Sequence, residues 1–476
     1  MANENVLSKR YATKEINDIF SEEGRILAER EFWIAVMKAQ KELGLNIPAE
    51  QIIKFEEAKA NIDLDLIIRI EQKTKHDVKA KIEAFIIAAN GEEYLHWGLT
   101  SRDLTDNVEQ MQYKKASEIV FGKYIAILSK FLGKAKEYEN IVLTARTHHQ
   151  AAQPTLVGRR FSMWAEELLY HLKNFEDFIK RYPLRGIKGP VGTQFDMLNI
   201  LGTKEKVDLL EKKVSSYLGF NKVLFSTGQI YPRSLDYALT SNLSLLSAAC
   251  ENFANGMRLM SGYELVTEGF KEGQVGSSAM PHKMNTRSCE RIWGLAEILK
   301  TYDNGASRMS GNQWEEGDVS DSAPRRIFNP DSFYTSDGIC ETTLYVLKNM
   351  GVYPAVIDKE TDRYLPFMAT TEILTIALNA GIGRETAHKI IRKYSISEAL
   401  RMREEGSKKN NLSCLLAKDT VFSEKGITQE KIESILKDKE HFIGNARNQI
   451  NLIINDSEEL ISKYSKEAQY IGKDIL

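Results

Sequence analysis

The sequence contains few of the residues that interrupt helices. Only ten of its 476 residues are proline, and none lies between Pro48 and Pro154 or after Pro366. Proline breaks the hydrogen bonding of helices and central strands alike, so these long intervals permit long elements. Alternating apolar and polar runs bounded by turn dipeptides are also scarce, which disfavours a sheet protein. We expect an almost wholly α-helical fold.

Cysteine is also sparse, with four residues in the chain. The four cysteines, Cys250, Cys289, Cys340 and Cys414, are far apart and form no CxxC pair. No Cys/His spacing matches that of a zinc site, so a disulfide scaffold and a zinc module are both disfavoured. The cysteines are typical of small buried apolar residues in a reducing compartment.

Neither an excess of one charge nor a long apolar run is present. The chain has 64 Lys and Arg against 66 Asp and Glu, a formal net charge of −2. Binding to nucleic acid or to an anionic membrane through bulk charge is therefore not expected. No window approaches about 18 uncharged apolar residues, and the start has no apolar signal core. We expect a cytoplasmic protein with no membrane span and roughly three domains.

Apolar spacing predicts where the long helices lie. Between Arg233 and Glu268, apolar residues recur at steps of four and three: Leu239, Leu243, Leu246, Cys250, Phe253, Met257 and Met260. This repeat of seven residues in two turns is typical of a helix packed nearly parallel to its neighbours in a bundle. Helical spacing also covers 161–179 and 292–302.

Glycine and proline are concentrated in two segments. The first, 181–194, is consistent with either a hairpin or a substrate loop. The second, 268–285, separates two strong helical patterns and is longer than a simple helix connection requires. We interpret it as a candidate functional loop.

Four segments combine polar side chains with an expected helix start: Thr74 to Asp77, Thr100 to Asp103, Gln153-Pro154-Thr155 and Asn285-Thr286. The first two have the T-x-x-D spacing of a capping box, and Pro154 suits a first helical position. Several helix N-termini that converge would favour a ligand with more than one negative charge. The alternative is that each cap is purely structural.

Half of the eight histidines lie in or beside these segments, namely His76, His96, His148 and His149. Because His148 and His149 are adjacent, they cannot share a helix face as a zinc-binding pair does, and we expect no metal. A histidine near its reference pKa can instead give or take a proton at neutral pH.

The loop sequence GSSAMPHKMN resembles the signature loop of the fumarase/aspartase superfamily. Further blocks resemble the adenylosuccinate lyase family within it: SKRYAT (8–13), KTKHDV (73–78), HWGLTSRDLTDN (96–107), RTHHQAAQPTLVGRR (146–160), STGQ (226–229), DSAPRR (321–326) and DRYLPFMATTEIL (362–374). The resemblance runs over essentially the whole chain, in order.

This resemblance implies cleavage of adenylosuccinate to AMP and fumarate, and of the carboxamide ribotide SAICAR to AICAR and fumarate, both in purine synthesis. By motif, Ser277 is the general base and His148 the general acid. Glu290 orients that histidine, Lys283 stabilises the charge that develops on the carboxylate, and His76 also belongs to the catalytic group. No cofactor is implied.

The resemblance also implies a set of substrate-binding residues: Arg10, Tyr11, Lys75, His76, Asp77, His96, Thr100, Ser101, Gln229, Ser278, Lys283, Asn285, Arg291, Ser322 and Arg326. It further implies a helical N-terminal domain (1–105), a central long-helix bundle (106–357) that holds the loop 268–285, and a helical C-terminal domain (358–476). The bundle would form the core of a homotetramer, with each active site shared among three chains.

Three positions depart from the family pattern. Lys75 stands where arginine is frequent, which keeps the charge and loses the bidentate fork. Thr286 replaces a proline and is expected to loosen the start of the next helix. Gly317 stands where many members have an arginine that contacts substrate, and we consider Arg325 a candidate to compensate.

Other readings stay open. Argininosuccinate lyase, fumarase and aspartase share the loop, but they need no site for a ribotide phosphate. A non-catalytic helical scaffold is the alternative outside enzymes, although Ser277 and His148 are both present. A serine hydrolase is disfavoured because the loop lacks the GxSxG elbow.

Overall fold

A computed structural model describes residues 5–269, 280 and 282–473. Ser277 and Ser278, to which the resemblance assigns catalysis and binding, lie outside these residues. Six helices form the N-terminal part: α1 (Val6–Arg10), α2 (Lys14–Phe20), α3 (Glu22–Glu42), α4 (Ala49–Ala58), α5 (Leu64–Thr74) and α6 (Asp77–Ala89). Helices α3, α4 and α6 bury a common core around Trp33, Phe55 and Phe85.

The central part contains the longest helices and the connection between them: α7 (Ser101–Glu137), α8 (Val157–Arg181), α9 (Phe195–Leu201), α10 (Lys204–Tyr217), α11 (Ser234–Gly262), α12 (Arg287–Met309) and α13 (Ser322–Asn349). Helices α7, α8, α11, α12 and α13 pack along one another as a bundle. Every residue of the predicted Leu239 to Met260 repeat is buried in the bundle core. The prediction of a bundle helix is confirmed.

Strands are few in the described ranges. β1 (Val142–Thr147) and β2 (Gln150–Leu156) form an antiparallel hairpin, and β3 (Val266–Thr267) pairs with β4 (Gly351–Val352). The prediction that Pro154 begins a helix was wrong, because Pro154 lies in β2 and α8 begins at Val157. A two-stranded hairpin leaves each strand with a free edge, so a residue without an N–H is tolerated there.

The C-terminal part consists of α14 (Pro354–Met368), α15 (Thr370–Asn379), α16 (Arg384–Glu404), α17 (Leu412–Ala417), α18 (Thr420–Glu424), α19 (Gln429–Leu436) and α20 (Ala446–Lys463), with 3-10 helices at Lys439–Ile443 and Glu467–Gln469. Residues of α15 to α19 bury their own small core around Ile391 and Phe422. Helix α20 instead returns to α7 and α8. The three domain ranges stay predictions.

Burial agrees with the reading of the cysteines. Cys250, Cys289 and Cys340 are buried with free thiols, and Cys414 is half-buried. Among the helices in the described ranges, none combines the length and the apolarity needed to cross a bilayer.

Candidate active site

The N-terminus of α7 is built around the carboxylate of Asp103. The backbone N–H of Thr100 donates to Asp103 Oδ2 at 2.8 Å, which confirms the predicted capping box. Asp103 Oδ1 accepts from Arg185 Nη1 at 2.6 Å and from the N–H groups of Lys188 and Gly189 at 2.8 and 3.0 Å. Asp103 and Arg185 are both fully buried. One carboxylate therefore joins the Thr100 turn to the irregular 181–194 loop.

Arg185 extends this connection to the segment that contains Gln229. Its Nη2 donates to the carbonyl of Gly228 at 3.0 Å. At Gly192, which has φ +91°, a Cβ atom would lie 2.1 Å from the carbonyl oxygen of Thr227, so only glycine permits this approach. The 181–194 loop is thus a bridge that brings Gln229 towards Thr100. Sequence reasoning missed Asp103 and Arg185 as the residues that assemble the site.

Gly317 packs against the same segment. Its φ is +141°, and an added Cβ would lie 3.1 Å from Ile230 Cγ1. The carbonyl of the preceding Glu316 accepts from the N–H of Gln229 at 2.6 Å. An arginine at position 317 would therefore require a different local backbone.

His76 caps α6, which corrects one of the predicted capping boxes. Thr74 is the last residue of α5, and Lys75, with φ 56°, ends that helix in the left-handed conformation. His76 is then the N-cap of α6, and its Nδ1 accepts from the N–H of Lys79 at 3.3 Å. Because Lys75 uses the turn to end α5, Thr74 cannot cap α6. Lys75, His76 and Asp77 are exposed at this corner.

His96 lies close enough to the starts of α6 and α7 for His76 and Asp103 to act on its charge. Its Nδ1 accepts from Trp33 Nε1 at 3.0 Å, so the ring proton is on Nε2, which is free to donate. Burial lowers the pKa of His96 to about 4; Asp103 opposes this shift and His76 adds to it. His96 is therefore a neutral hydrogen-bond donor at pH 7.

The free energy of unfolding should depend on pH through His96. Since the folded-state pKa lies below the ordinary value of 6.5, stability is lost as pH falls from 6.5 towards 4. We expect this loss to be about 2 kcal/mol, below the full linkage value because the ring is partly exposed. The check is the free energy of unfolding in urea at pH 7 and at pH 4.5. In His96→Gln, which keeps an acceptor for Trp33, the difference between the two values should be smaller by about 2 kcal/mol.

The matched control is His388→Gln, at an exposed histidine in α16. It should lose as much stability at pH 4.5 as the unmodified chain. Equal acid sensitivity of His96→Gln and the unmodified chain would contradict the assignment.

A buried network of charges aligns α13 with α7. Arg233 pairs with Asp321 and lies 3.2 Å from Asp106. The guanidinium of Arg325, which is 2% exposed, donates a hydrogen bond to Asp236 at 2.5 Å and forms an ion pair with Glu109 at 2.9 Å.

These contacts overturn the suggestion that Arg325 compensates for Gly317. Its guanidinium is buried and already bound by carboxylates, and it also bonds the hydroxyl of Tyr231. The neighbouring Arg326 is exposed and Ser322 is half-buried, so both are accessible at the start of α13. Only one of the two adjacent arginines is available to a ligand.

A second group of predicted residues lies at the start of α12. The guanidinium of Arg291 lies 5.8 Å from the ring centroid of Tyr11. Lys283 and Glu290 are exposed and Asn285 is half-buried. Helix α12 begins at Arg287 after the N-cap Thr286, as predicted.

The carboxylate of Glu268 holds this helix start. It accepts from the N–H groups of Ser288 and Cys289 at 3.0 Å each. Because Glu268 satisfies two free amides of the first turn, the start of α12 is held without a proline at position 286. An acid at the first residue of the glycine-rich loop was the sequence signal for this contact.

The third group lies at the tip of the β1–β2 hairpin. His148 and His149, with φ 52° and 60°, form the turn and are exposed. Arg146 donates to the carbonyl of His149 at 3.2 Å, pairs with Glu360 and lies 4.2 Å from the ring centroid of Tyr263. The histidines border a cavity of about 340 Å³, which Arg160 also lines. The imidazole rings of both histidines are therefore accessible from outside the chain.

Within one chain, the His148 and Thr100 groups are far apart. The 37 residues of α7 span about 55 Å. The ten residues that follow Tyr138, up to His148, could return along the helix by at most about 36 Å even if fully extended. His148 and Thr100 of one chain are therefore at least about 20 Å apart and cannot touch the same small group.

Sequence comparisons identify the family. The profile described as "Lyase" matches residues 9–298, and that described as "Adenylosuccinate lyase C-terminus" matches 366–452. The adenylosuccinate lyase of Saccharomyces cerevisiae is 34% identical, over 97% of this chain and 97% of its own length. That of Methanocaldococcus jannaschii is 32% identical, over 90% and 91%.

Solved structures agree on the fold. The 3-carboxy-cis,cis-muconate lactonizing enzyme of Pseudomonas putida superimposes with a TM-score of 0.81 at 18% identity, covering 96% of this chain and 99% of its own. A fumarate lyase from Mesorhizobium sp. BNC1 gives 0.78 at 19% identity, covering 94% and 99%. The expected all-helical fumarase/aspartase-like architecture is confirmed, and the chain belongs to the adenylosuccinate lyase family.

Proposed function

We propose that this chain eliminates fumarate from adenylosuccinate, leaving AMP, and from SAICAR, leaving AICAR. The observation that supports the proposal is the Asp103–Arg185 pair, which ties the first turn of α7, next to Thr100, to the segment that contains Gln229. The dipole of a long helix favours an anion near its N-terminus, and both substrates carry a phosphate and two carboxylates. The family relationship over the length of the chain supplies the reaction class.

The reaction moves one proton off carbon and one onto nitrogen. Ser277, as base, removes the proton beside the succinyl carboxylate, and the electron pair becomes the double bond of fumarate as the C–N bond breaks. His148 donates a proton to the departing nitrogen. Lys283 and Asn285 stabilise the negative charge on the carboxylate, and Glu290 orients His148. These roles are carried over from the family motifs.

We propose further that the active site is shared among chains of a homotetramer. Within one chain, α7 separates Thr100 from His148 by at least about 20 Å. A site that uses both must therefore take them from different chains. The exposed position of His148 at a hairpin tip is consistent with its insertion into a neighbouring subunit.

The direct test is fumarate release by the purified protein, followed by absorbance. Adenylosuccinate and SAICAR should both be cleaved, and argininosuccinate, which lacks the ribotide phosphate, should not. Cleavage of argininosuccinate alone would move the chain to another branch of the superfamily. Release of fumarate from none of the three would favour the scaffold reading.

A further inference from the structure

A buried ion cluster joins the two ends of the described chain. Lys123 of α7 is 3% exposed and pairs with two carboxylates of α13, Asp337 and Glu341, both fully buried. The ammonium lies 2.8 Å from Glu341 Oε1. Burial alone would lower the pKa of Lys123, but the two carboxylates outweigh it and raise the pKa, so the lysine stays charged. The elimination itself requires none of these groups.

The cluster holds the N-terminal segment through Thr13. The N–H of Thr13 donates to Asp337 Oδ2 at 2.6 Å, and its hydroxyl accepts from Lys123 Nζ at 3.1 Å. Two residues earlier, Tyr11 lies directly on α13, where a Cβ at Gly338 would come within 2.9 Å of Tyr11 Cβ. The cluster and this close contact fix the course of the chain next to Arg10 and Tyr11.

The C-terminal tail, residues 464–473 after α20, contacts the same cluster. Tyr470 donates its hydroxyl to Glu341 Oε1 at 2.6 Å, and the N–H of Lys473 donates to Oε2 at 2.6 Å. At Gly472, a Cβ would lie 2.7 Å from Leu344 Cβ, so the tail packs closely on α13. Both oxygens of Glu341 are therefore held by the tail.

Charge balance couples the two sides. One ammonium faces two carboxylates, which leaves a net negative charge in a buried site, and the donors from the tail stabilise it. Without the Tyr470 hydroxyl, Glu341 depends more on Lys123. The contacts of the Lys123 ammonium with Asp337 and Thr13 are then weaker. Loss of the hydrogen bond from Tyr470 therefore loosens the segment that contains Arg10 and Tyr11.

We propose that Tyr470 is a positioning residue, which acts through Glu341 and Lys123 to hold the Arg10-Tyr11 segment in place for substrate. The inference rests on the proposed function and on the substrate-binding role that the family resemblance implies for Arg10 and Tyr11. It assigns the C-terminal tail a part in substrate affinity.

The test compares Tyr470→Phe with Tyr464→Phe. Tyr464 lies on the same tail and donates its hydroxyl to Glu176 of α8 at 2.7 Å, outside the cluster. We expect Tyr470→Phe to raise the KM for adenylosuccinate about fivefold with kcat within about twofold, an effect of the size of one typical intramolecular hydrogen bond. Amide hydrogen exchange of residues 8–13 should become faster. Tyr464→Phe should change neither quantity.

Each result decides the proposal. Unchanged exchange in residues 8–13 of Tyr470→Phe overturns it, as does an equal rise in KM in Tyr464→Phe. Faster exchange with an unchanged KM overturns the role in substrate binding. If the unmodified protein releases no fumarate, the proposed function fails instead, and the exchange measurement still shows whether Tyr470 holds the segment.

Discussion

Replacing His148 with alanine is expected to lower kcat for fumarate release by about 10³-fold, with KM within a few-fold of the unmodified enzyme. A positioned general acid contributes about 10² to 10⁴ to the rate, and the departing nitrogen has no other assigned proton donor. The measurement is the rate of fumarate formation at saturating adenylosuccinate.

His149→Ala is the matched control. His149 shares the hairpin turn, the left-handed backbone and the exposure of His148, so both replacements impose the same backbone cost. We expect His149→Ala to keep kcat within about tenfold, since a neighbour of the acid affects only its placement. A collapse in His149→Ala with a mild effect in His148→Ala would reverse the assignment of the acid.

Mixing variants extends the same experiment to the sharing of sites. If each site takes His148 from one chain and Thr100 from another, chains of His148→Ala combined with chains of Thr100→Val re-form some fully native sites. Activity should then reappear in the reassembled mixture. Two inactive variants that stay inactive after confirmed subunit exchange would argue against shared sites.

Arg325→Met is expected to give the largest loss of stability, about 3 to 5 kcal/mol. The guanidinium is 2% exposed, donates a hydrogen bond to Asp236 and forms an ion pair with Glu109. Its removal leaves the buried Asp236 and the half-buried Glu109 without this counter-charge. Methionine keeps most of the length of the side chain, so the loss of charge dominates over the loss of volume. The check is the midpoint of urea unfolding at pH 7.

Arg326→Met is the control at the next position. Arg326 is exposed, so its replacement should leave the urea midpoint within about 0.5 kcal/mol of the unmodified protein. If it binds substrate as the family motif implies, the KM should rise by about tenfold or more, because a charge-assisted contact is lost. Equal destabilisation by the two variants would contradict a structural role for Arg325 and a binding role for Arg326.

The DSAPRR motif illustrates how far sequence reasoning reached. The motif assigned Arg326 to the ligand and left Arg325 as a candidate to compensate for Gly317, and only the packing of α13 against α7 decided that Arg325 is buried. The two other errors have similar causes. Thr74 has the spacing of a capping residue but completes the preceding helix, and Pro154 suits a helix start but lies in a hairpin strand. Each depends on neighbours that local patterns do not report.

Composition and periodicity by themselves determined that this chain is a bundle of long helices, because the spacing of apolar residues along a helix is a local property. Its motifs determined the family. Only the tertiary structure decided that Asp103 meets Arg185, and that Thr13 meets Asp337 across 324 residues of sequence. Such contacts join side chains whose positions follow from the packing of whole helices, and no local pattern encodes that packing.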